Sequence, residues 1–379
     1  MRYFIIAGEA SGDLHASNLM RELRIADAQA EFCFLGGDLM QAHGGKMIKH
    51  YRNMAFMGIV AVLKNARTVL QNMRDCKLAI TDFQPDVLIL VDYPSFNLRM
   101  ARYVKEQLAD TKVYYYISPK LWAWKEYRIK EIKRYVDKMF TIFPFETAFY
   151  AKHNYKVEYV GNPSVDSVCT RPHQEQSFTD FCTENNLSRK PIIALLAGSR
   201  KQEIVGCLPR MVEAGLRFPD YQVIIAGAPG IDIALYNSIL KDRNVLIVVG
   251  KTYELLQQAA AAVVNSGTAT LETALIGTPE VVVYHLPAGR FGYLIKEMVV
   301  RTGFVSLVNI VAGKLVVKEL LAHLFTPKNI ATELNLILNN PTYRQTMLND
   351  YSEIKKALGE PGTAKRAAVK MVEFLRREE

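Results

Sequence analysis

The chain has 379 residues, half of them apolar and 22% charged, which is the balance of an ordinary globular protein, and no apolar stretch approaches bilayer length. Its length predicts two domains rather than one core. The formal net charge of +9 points to an anionic partner (nucleic acid, a phosphorylated ligand or a membrane face) or only to a solvated basic surface.

The first strand, Tyr3-Phe4-Ile5-Ile6-Ala7, begins almost at Met1, so no secretory leader is expected. A small-residue turn, Gly8-Glu9-Ala10-Ser11-Gly12-Asp13, follows it. Further strands are predicted at 32–35, 87–91, 112–117, 138–142 and 157–160, with helices at about 17–26, 66–83, 97–108, 125–135 and 145–152. Runs such as Val87-Leu88-Ile89-Leu90-Val91 suit strands buried on both faces, and the alternation with helices predicts a parallel, doubly wound sheet. A polar linker, with room for a short helix, is expected at 170–189. The rhythm then restarts with strands at 191–196, 223–226, 245–249, 261–264 and 281–284. A helical C-terminus carries the stripe Ala367, Ala368, Met371, Val372 and Leu375 after the break Gly359-Glu360-Pro361-Gly362. The domains are expected at 1–163 and 164–345, with C-terminal helices at 346–379 packing back on the first domain. Cys33, Cys76, Cys169, Cys182 and Cys207 are scattered, with no CxxC pair or Cys/His cluster, so reduced thiols and no metal site are expected.

Five segments carry chemistry. Gly198-Ser199-Arg200 ends a strand and precedes a helix starting near Glu203, a place for a phosphate or diphosphate, or simply a capped helix with a surface arginine. Asn265-Ser266-Gly267-Thr268-Ala269-Thr270-Leu271-Glu272 offers hydroxyls and N–H groups to phosphate oxygens, with Glu272 one turn on to accept ribose hydroxyls or to close a capping box. Asp92 stands at the end of a buried strand, where it is either a general base or a turn cap. Both tryptophans lie in Ser118-Pro119-Lys120-Leu121-Trp122-Ala123-Trp124, ahead of a basic helix; they are core aromatics or a lip for sugar or lipid. The apolar run 54–64 is core or dips into a membrane surface, with Lys64 and Arg67 meeting head groups.

Taken in order, Gly8-Glu9-Ala10-Ser11-Gly12-Asp13, Met57-Gly58-Ile59-Val60, Tyr116-Ile117-Ser118-Pro119 with Trp122-Ala123-Trp124, Phe143-Pro144-Phe145-Glu146, Gly161-Asn162-Pro163, Gly198-Ser199-Arg200 with Glu203, Ser266 to Glu272, and Val305-Ser306-Leu307-Val308-Asn309 closely resemble the lipid-A-disaccharide synthase family. The resemblance runs from about residue 3 to about residue 375. It implies the α/β GT-B fold of two Rossmann-like doubly wound parallel-sheet domains with an interdomain cleft. It implies inverting transfer from UDP-2,3-diacylglucosamine to 2,3-diacylglucosamine 1-phosphate (lipid X), giving the β-1,6-linked disaccharide 1-phosphate and UDP, with no cofactor or bound metal. It implies Asp92 as base; Gly198, Ser199, Arg200, Glu203, Ser266, Gly267, Thr268, Glu272 and Asn309 on the UDP-sugar; and Glu9, Ser11, Gly12, Ser118 and Trp122 around the acceptor sugar. Met57, Ile59 and Val60 would touch acyl chains or membrane. The setting implied is cytoplasmic, peripheral to the inner membrane of a Gram-negative bacterium, with no nucleic acid; a homodimer is left open.

Two positions depart from the family pattern. Ser95 stands where the family often has Asp, which leaves Asp92 alone as base. Lys314 stands where many relatives have Arg, keeping the charge without the bidentate fork. The rival readings are another GT-B UDP-sugar enzyme (an N-acetylglucosaminyltransferase or a 2-epimerase) and a non-enzymatic, nucleotide-dependent membrane-binding module. An epimerase would need further acid/base carboxyl groups, and no convincing set is visible.

Overall fold

Strands rich in Val, Ile, Leu and Tyr leave no polar face for water, so each sheet must be covered on both sides. The protein's structure, a computed structural model, describes residues 1–54, 66–241, 243–285 and 303–377. It divides into two compact units, Met1–Pro163 with Pro361–Glu379, and Ser164–Glu360. Met57, Ile59 and Val60 lie outside the described residues.

The first unit is built on strands β1 (Arg2–Ala7), β2 (Glu31–Gly36), β3 (Lys46–His50), β4 (Val87–Val91), β5 (Lys112–Tyr116), β6 (Lys138–Thr141) and β7 (Glu158–Tyr159). They form one sheet in the order β3-β2-β1-β4-β5-β6-β7, with every pairing parallel. β4 is wholly buried, and each such side chain contributes roughly 1.5–3 kcal/mol relative to exposure. The helix Thr363–Arg377 buries Ala367, Ala368, Met371, Val372 and Leu375 against this unit's core, beside the helix Ala10–Ala26. Lys370 pairs with Glu158 at 2.6 Å, and Arg366 Nε donates to the Val160 carbonyl.

The second unit holds β8 (Ile192–Leu196), β9 (Gln222–Gly227), β10 (Leu246–Val249), β11 (Ala259–Asn265), β12 (Glu280–Tyr284) and β13 (Glu319–Leu321). Its order is β10-β9-β8-β11-β12-β13, again all parallel.

Several elements differ from expectation. The expected division at 345 falls inside the helix Pro341–Leu358, which belongs to the second unit; the chain passes to the first unit at the Gly359-Glu360-Pro361-Gly362 break. The first helix starts at Ala10 rather than Ser17, and the helix after Asp92 starts at Pro94, a residue suited to the first turn. The basic helix begins only at Ile129, because Lys125 is left-handed (φ 56°) and a single 3-10 turn, Glu126–Arg128, intervenes. The stretch 170–189, by contrast, holds the short helix for which the expected linker had room, Phe178–Glu184, capped by the Ser177 hydroxyl.

Candidate active site

In both sheets the strand order reverses beside the first strand, so a crevice opens at the carboxyl ends of β1 and β4 and of β8 and β11. The sequence places Gly8 and Asp92 at the first edge, and Gly198 and Ser266 at the second.

At the first edge β4 leaves the sheet through two consecutive left-handed residues, Asp92 (φ 43°) and Tyr93 (φ 47°). Such a backbone costs of order 1–3 kcal/mol per residue and persists only where its surroundings hold it. Three contacts do so. Asn97 Nδ2 donates to the Asp92 carbonyl at 2.6 Å, and the Tyr115 phenol donates to the same oxygen at 2.5 Å. The Tyr93 ring fills the space where a Cβ on Gly8 would sit, 2.3 Å away. Glu9 is close enough to help burial push the Tyr93 phenol up. The Asp92 carboxyl is itself raised by desolvation, against the opposing pull of Lys120 and the Tyr93 N–H. Ser95 accepts from Arg128 at 3.0 Å. Ser11 is exposed, and Gly12 is buried, with Ala7 Cβ 3.4 Å from where a Gly12 Cβ would sit. Asp13 turns inward, where its carboxylate accepts from the backbone N–H groups of Gly37, Leu39 and Met40.

Ser118 and Trp122, expected around the sugar, hydrogen-bond Glu146, a buried carboxylate not among the expected site residues. Glu146 accepts from Ser118 Oγ at 2.5 Å and Trp122 Nε1 at 3.1 Å on one oxygen. Its other oxygen takes the Ile142 and Phe143 N–H groups at the start of the helix Pro144–Ala151. Burial pushes this carboxyl up and the hydrogen bonds oppose it. The Trp122 ring meets Phe143 and Phe145 edge-on, which makes it core. Trp124, by contrast, is half exposed with the Lys125 ammonium 4.1 Å from its ring centre.

At the second edge Glu203 is an internal anion on the first turn. Its carboxylate accepts from Ser199 N at 3.0 Å and Arg200 N at 3.3 Å, and pairs with the Arg200 guanidinium at 3.0 Å. Expected to bind the donor directly, Glu203 thus caps the helix Lys201–Gly215. Gly198 (φ 116°) has no room for a side chain, with Glu203 Oε2 2.4 Å from a built Cβ.

The second turn is more open. Gly267 and Thr268 are exposed, and among the described residues nothing lies within 4 Å of a Cβ built on Gly267. The helix Thr268–Ile276 starts there with no side-chain cap, presenting its positive end at the edge. Ser266 Oγ donates to the Val305 carbonyl at 3.3 Å. Glu272 is raised by burial and lowered by a hydrogen bond with Tyr253, whose phenol also reaches Ser167. Asn309 was expected in the donor pocket, but all its polar atoms are used internally. Oδ1 accepts from Val316 and Val317, and Nδ2 donates to Val317 O and to Glu319. Lys314 pairs with Asp350 at 2.7 Å. Among the described residues no group of three His, Cys, Asp or Glu side chains could hold a metal ion.

The LpxB family model, described as lipid-A-disaccharide synthetase, matches residues 3–372. A lipid-A-disaccharide synthase from Myxococcus xanthus (strain DK1622) is 39% identical over 381 aligned residues, covering 99% of this chain and 97% of the relative. Another from Syntrophus aciditrophicus (strain SB) is 36% identical, covering 98% and 97%. Among solved structures, a putative UDP-N-acetylglucosamine 2-epimerase from Listeria monocytogenes superposes with a TM-score of 0.67 at 11% identity, covering 100% of this chain and 97% of that one. The glycosyltransferase of kitacinnamycin gives 0.64 at 12% identity, covering 99% and 98%. These two share the GT-B type of architecture, two parallel-sheet α/β units, and at such low identity they speak for the fold alone.

Proposed function

The chain belongs to the lipid-A-disaccharide synthase family and is a glycosyltransferase, and we propose that it joins UDP-2,3-diacylglucosamine to 2,3-diacylglucosamine 1-phosphate, with inversion, to give the β-1,6-linked disaccharide 1-phosphate and UDP. The observation that carries the mechanism is Asp92: a desolvated carboxylate at the β1/β4 edge on a backbone forced into an unusual conformation.

In this reading the Asp92 carboxylate takes the proton of the acceptor's 6-hydroxyl as that oxygen attacks the anomeric carbon, and the bond from that carbon to UDP breaks. Desolvation makes Asp92 a stronger base than an exposed carboxylate, at the cost of needing a higher pH to ionise. The departing diphosphate needs charge stabilisation, which Arg200 and the open turn at Ser266, Gly267 and Thr268 supply. Gly198, Ser199 and Glu203 shape the Arg200 turn, and Glu272 accepts the ribose hydroxyls. Glu9, Ser11 and Gly12 border the acceptor sugar. Ser118, Trp122 and Asn309 support the site from behind, as their hydrogen bonds suggest. The first unit serves the acceptor and the second serves UDP.

Both substrates carry acyl chains and negative charge, and no helix among the described residues is long and apolar enough to cross a membrane. Peripheral contact with the cytoplasmic face of the inner membrane follows from that chemistry, through Met57, Ile59 and Val60. The exposed Trp124 and Tyr127 beside Lys120, Lys125 and Lys130 favour it. Flotation with anionic liposomes checks this part; failure to float, unchanged by Met57→Ser with Ile59→Ser, overturns it.

The decisive assay is incubation of the protein with UDP-diacylglucosamine and lipid X, followed by mass analysis of the lipids. A tetraacyl disaccharide phosphate that disappears in Asp92→Asn is expected. An unchanged lipid pool sinks the proposal, and a product from UDP-N-acetylglucosamine instead would favour a soluble-sugar transferase.

A further inference from the structure

Two fully buried polar side chains at the first edge serve one backbone oxygen. Asn97 is 0% exposed and hydrogen-bonds the Val91 and Asp92 carbonyls with its amide. Tyr115 is 0% exposed on β5, whose register sets it opposite Leu90 one strand away, and its phenol ends on the Asp92 carbonyl. Burying a phenol and an amide here is not needed to close the sheet, because β4 and β5 already pair along their length. What the two groups oppose is the relaxation of the left-handed Asp92-Tyr93 turn to ordinary backbone. If the Asp92 carbonyl swings away, the side chain on the same α-carbon swings with it.

We infer that Tyr115 and Asn97 are positioning residues for the transferase reaction: their two hydrogen bonds to the Asp92 carbonyl hold the carboxylate where it meets the acceptor hydroxyl. The inference rests on Asp92 being the base. Neither residue touches the reacting atoms, and both act through the backbone of one residue. The groups facing Asp92 are Lys120 from the loop after β5, the Tyr93 N–H of its own turn, and the Tyr115 phenol from β5. Desolvation keeps the Asp92 carboxyl raised only while the turn holds it inward. A relaxed turn brings it toward water and back toward the ordinary carboxylate range.

Tyr115→Phe removes one hydroxyl and leaves the ring in the core, so it tests the geometry with little risk to folding. In the full-length protein kcat is expected to fall about 10–100-fold with both KM values nearly unchanged. The acid limb of the kcat–pH profile is expected to move to lower pH, because the freed carboxyl ionises more easily. Asn97→Ala is expected to do the same, and the double variant to lose little more than either single one, since both release the same turn. A lowered melting temperature with unchanged kcat and an unmoved acid limb overturns the positioning role and makes both residues purely structural. If Asp92→Asn keeps wild-type activity, the assignment of the base fails. If Asp92→Asn is inactive while Tyr115→Phe is normal in kcat and pH profile, only the present inference fails.

Discussion

Glu146→Gln probes the carboxylate that ties together Ser118, Trp122 and the Pro144–Ala151 helix. The native carboxylate accepts from Ser118 Oγ, Trp122 Nε1, and the N–H groups of Ile142 and Phe143. A glutamine has one acceptor end and one donor end. Its best orientation keeps the amide oxygen on the two backbone N–H groups and turns the NH2 toward Ser118, whose hydroxyl can rotate to accept. Trp122 Nε1 is then left facing a donor, and an orphaned buried donor costs about 1–3 kcal/mol. The two backbone bonds lose their charge assistance, about 1 kcal/mol each. Against this, a neutral group no longer carries the desolvation that raises the Glu146 carboxyl. The net loss is about 2–4 kcal/mol, and at roughly 2–4 °C per kcal/mol for a unit of this size it lowers the first unit's melting temperature by about 5–15 °C. Calorimetry of the intact chain reads it. Adding Trp122→Phe removes the orphaned donor, so the double variant should recover about 1 kcal/mol relative to the sum of the single changes. An unchanged melting temperature for Glu146→Gln, or strict additivity in the pair, would refute the hydrogen-bond argument.

The other predictions concern pH. Glu280 is 0% exposed, both its carboxylate oxygens lack a hydrogen-bond partner among the described residues, and burial holds it well above the ordinary range. Its folded pKa exceeds its unfolded one, so the folded state keeps a proton that the unfolded state releases. This group's contribution is therefore fully present below the ordinary carboxylate pKa and is lost as pH rises from there toward the folded value. Glu280→Gln should raise the second unit's melting temperature at neutral pH and flatten its pH slope; an unchanged slope counts against the reading. Glu272 is also raised by burial, and a ribose-accepting carboxylate must be ionised. UDP affinity measured by calorimetric titration should fall as pH drops through that raised value, and Glu272→Gln should bind UDP weakly at every pH. Wild-type affinity in the variant would remove Glu272 from the nucleotide site.

The central strands were legible because burial on both faces writes itself as an unbroken apolar run: β1, β4, β8 and β11 all read that way. β3 and β13 were not. β3 is the sheet-edge segment Lys-Met-Ile-Lys-His, and β13 has three residues, so neither carries a burial signature long enough to see. Helix starts were misread where small or polar residues suggest a turn. Ala10 to Gly12 look like loop, yet Gly12 is buried inside the helix Ala10–Ala26, on the side that faces Ala7 of β1. Among the site positions, Asp92 was visible as a carboxylate ending a buried strand. Its supports were not, because Asn97 reaches back five residues from the following helix and Tyr115, twenty-three residues on, arrives at the same carbonyl only through the β4–β5 register. Ser118, Trp122 and Asn309 are polar or aromatic residues in marked motifs. Sequence alone does not tell whether such a group points outward to a ligand or inward to Glu146 or Glu319.

The two sheets share one topology and each puts a glycine after its first strand, yet the glycines do different work. The question is what fills the space of the missing Cβ. At Gly8 it is the Tyr93 ring, so the residue is small to let an aromatic clamp the Asp92 turn. At Gly198 it is the Glu203 side chain, so the residue is small to let an internal carboxylate reach the turn's N–H groups. At Gly267, after the fourth strand of the second sheet, no described atom lies within 4 Å. A glycine whose vacant side is filled by the protein serves packing. One whose vacant side is open, at the uncapped positive end of a helix, is suited to something that arrives from outside. That difference, rather than the similarity of the motifs, is the reason to seat the diphosphate at Ser266–Thr268 and to leave the Gly8 edge to Asp92 and the acceptor.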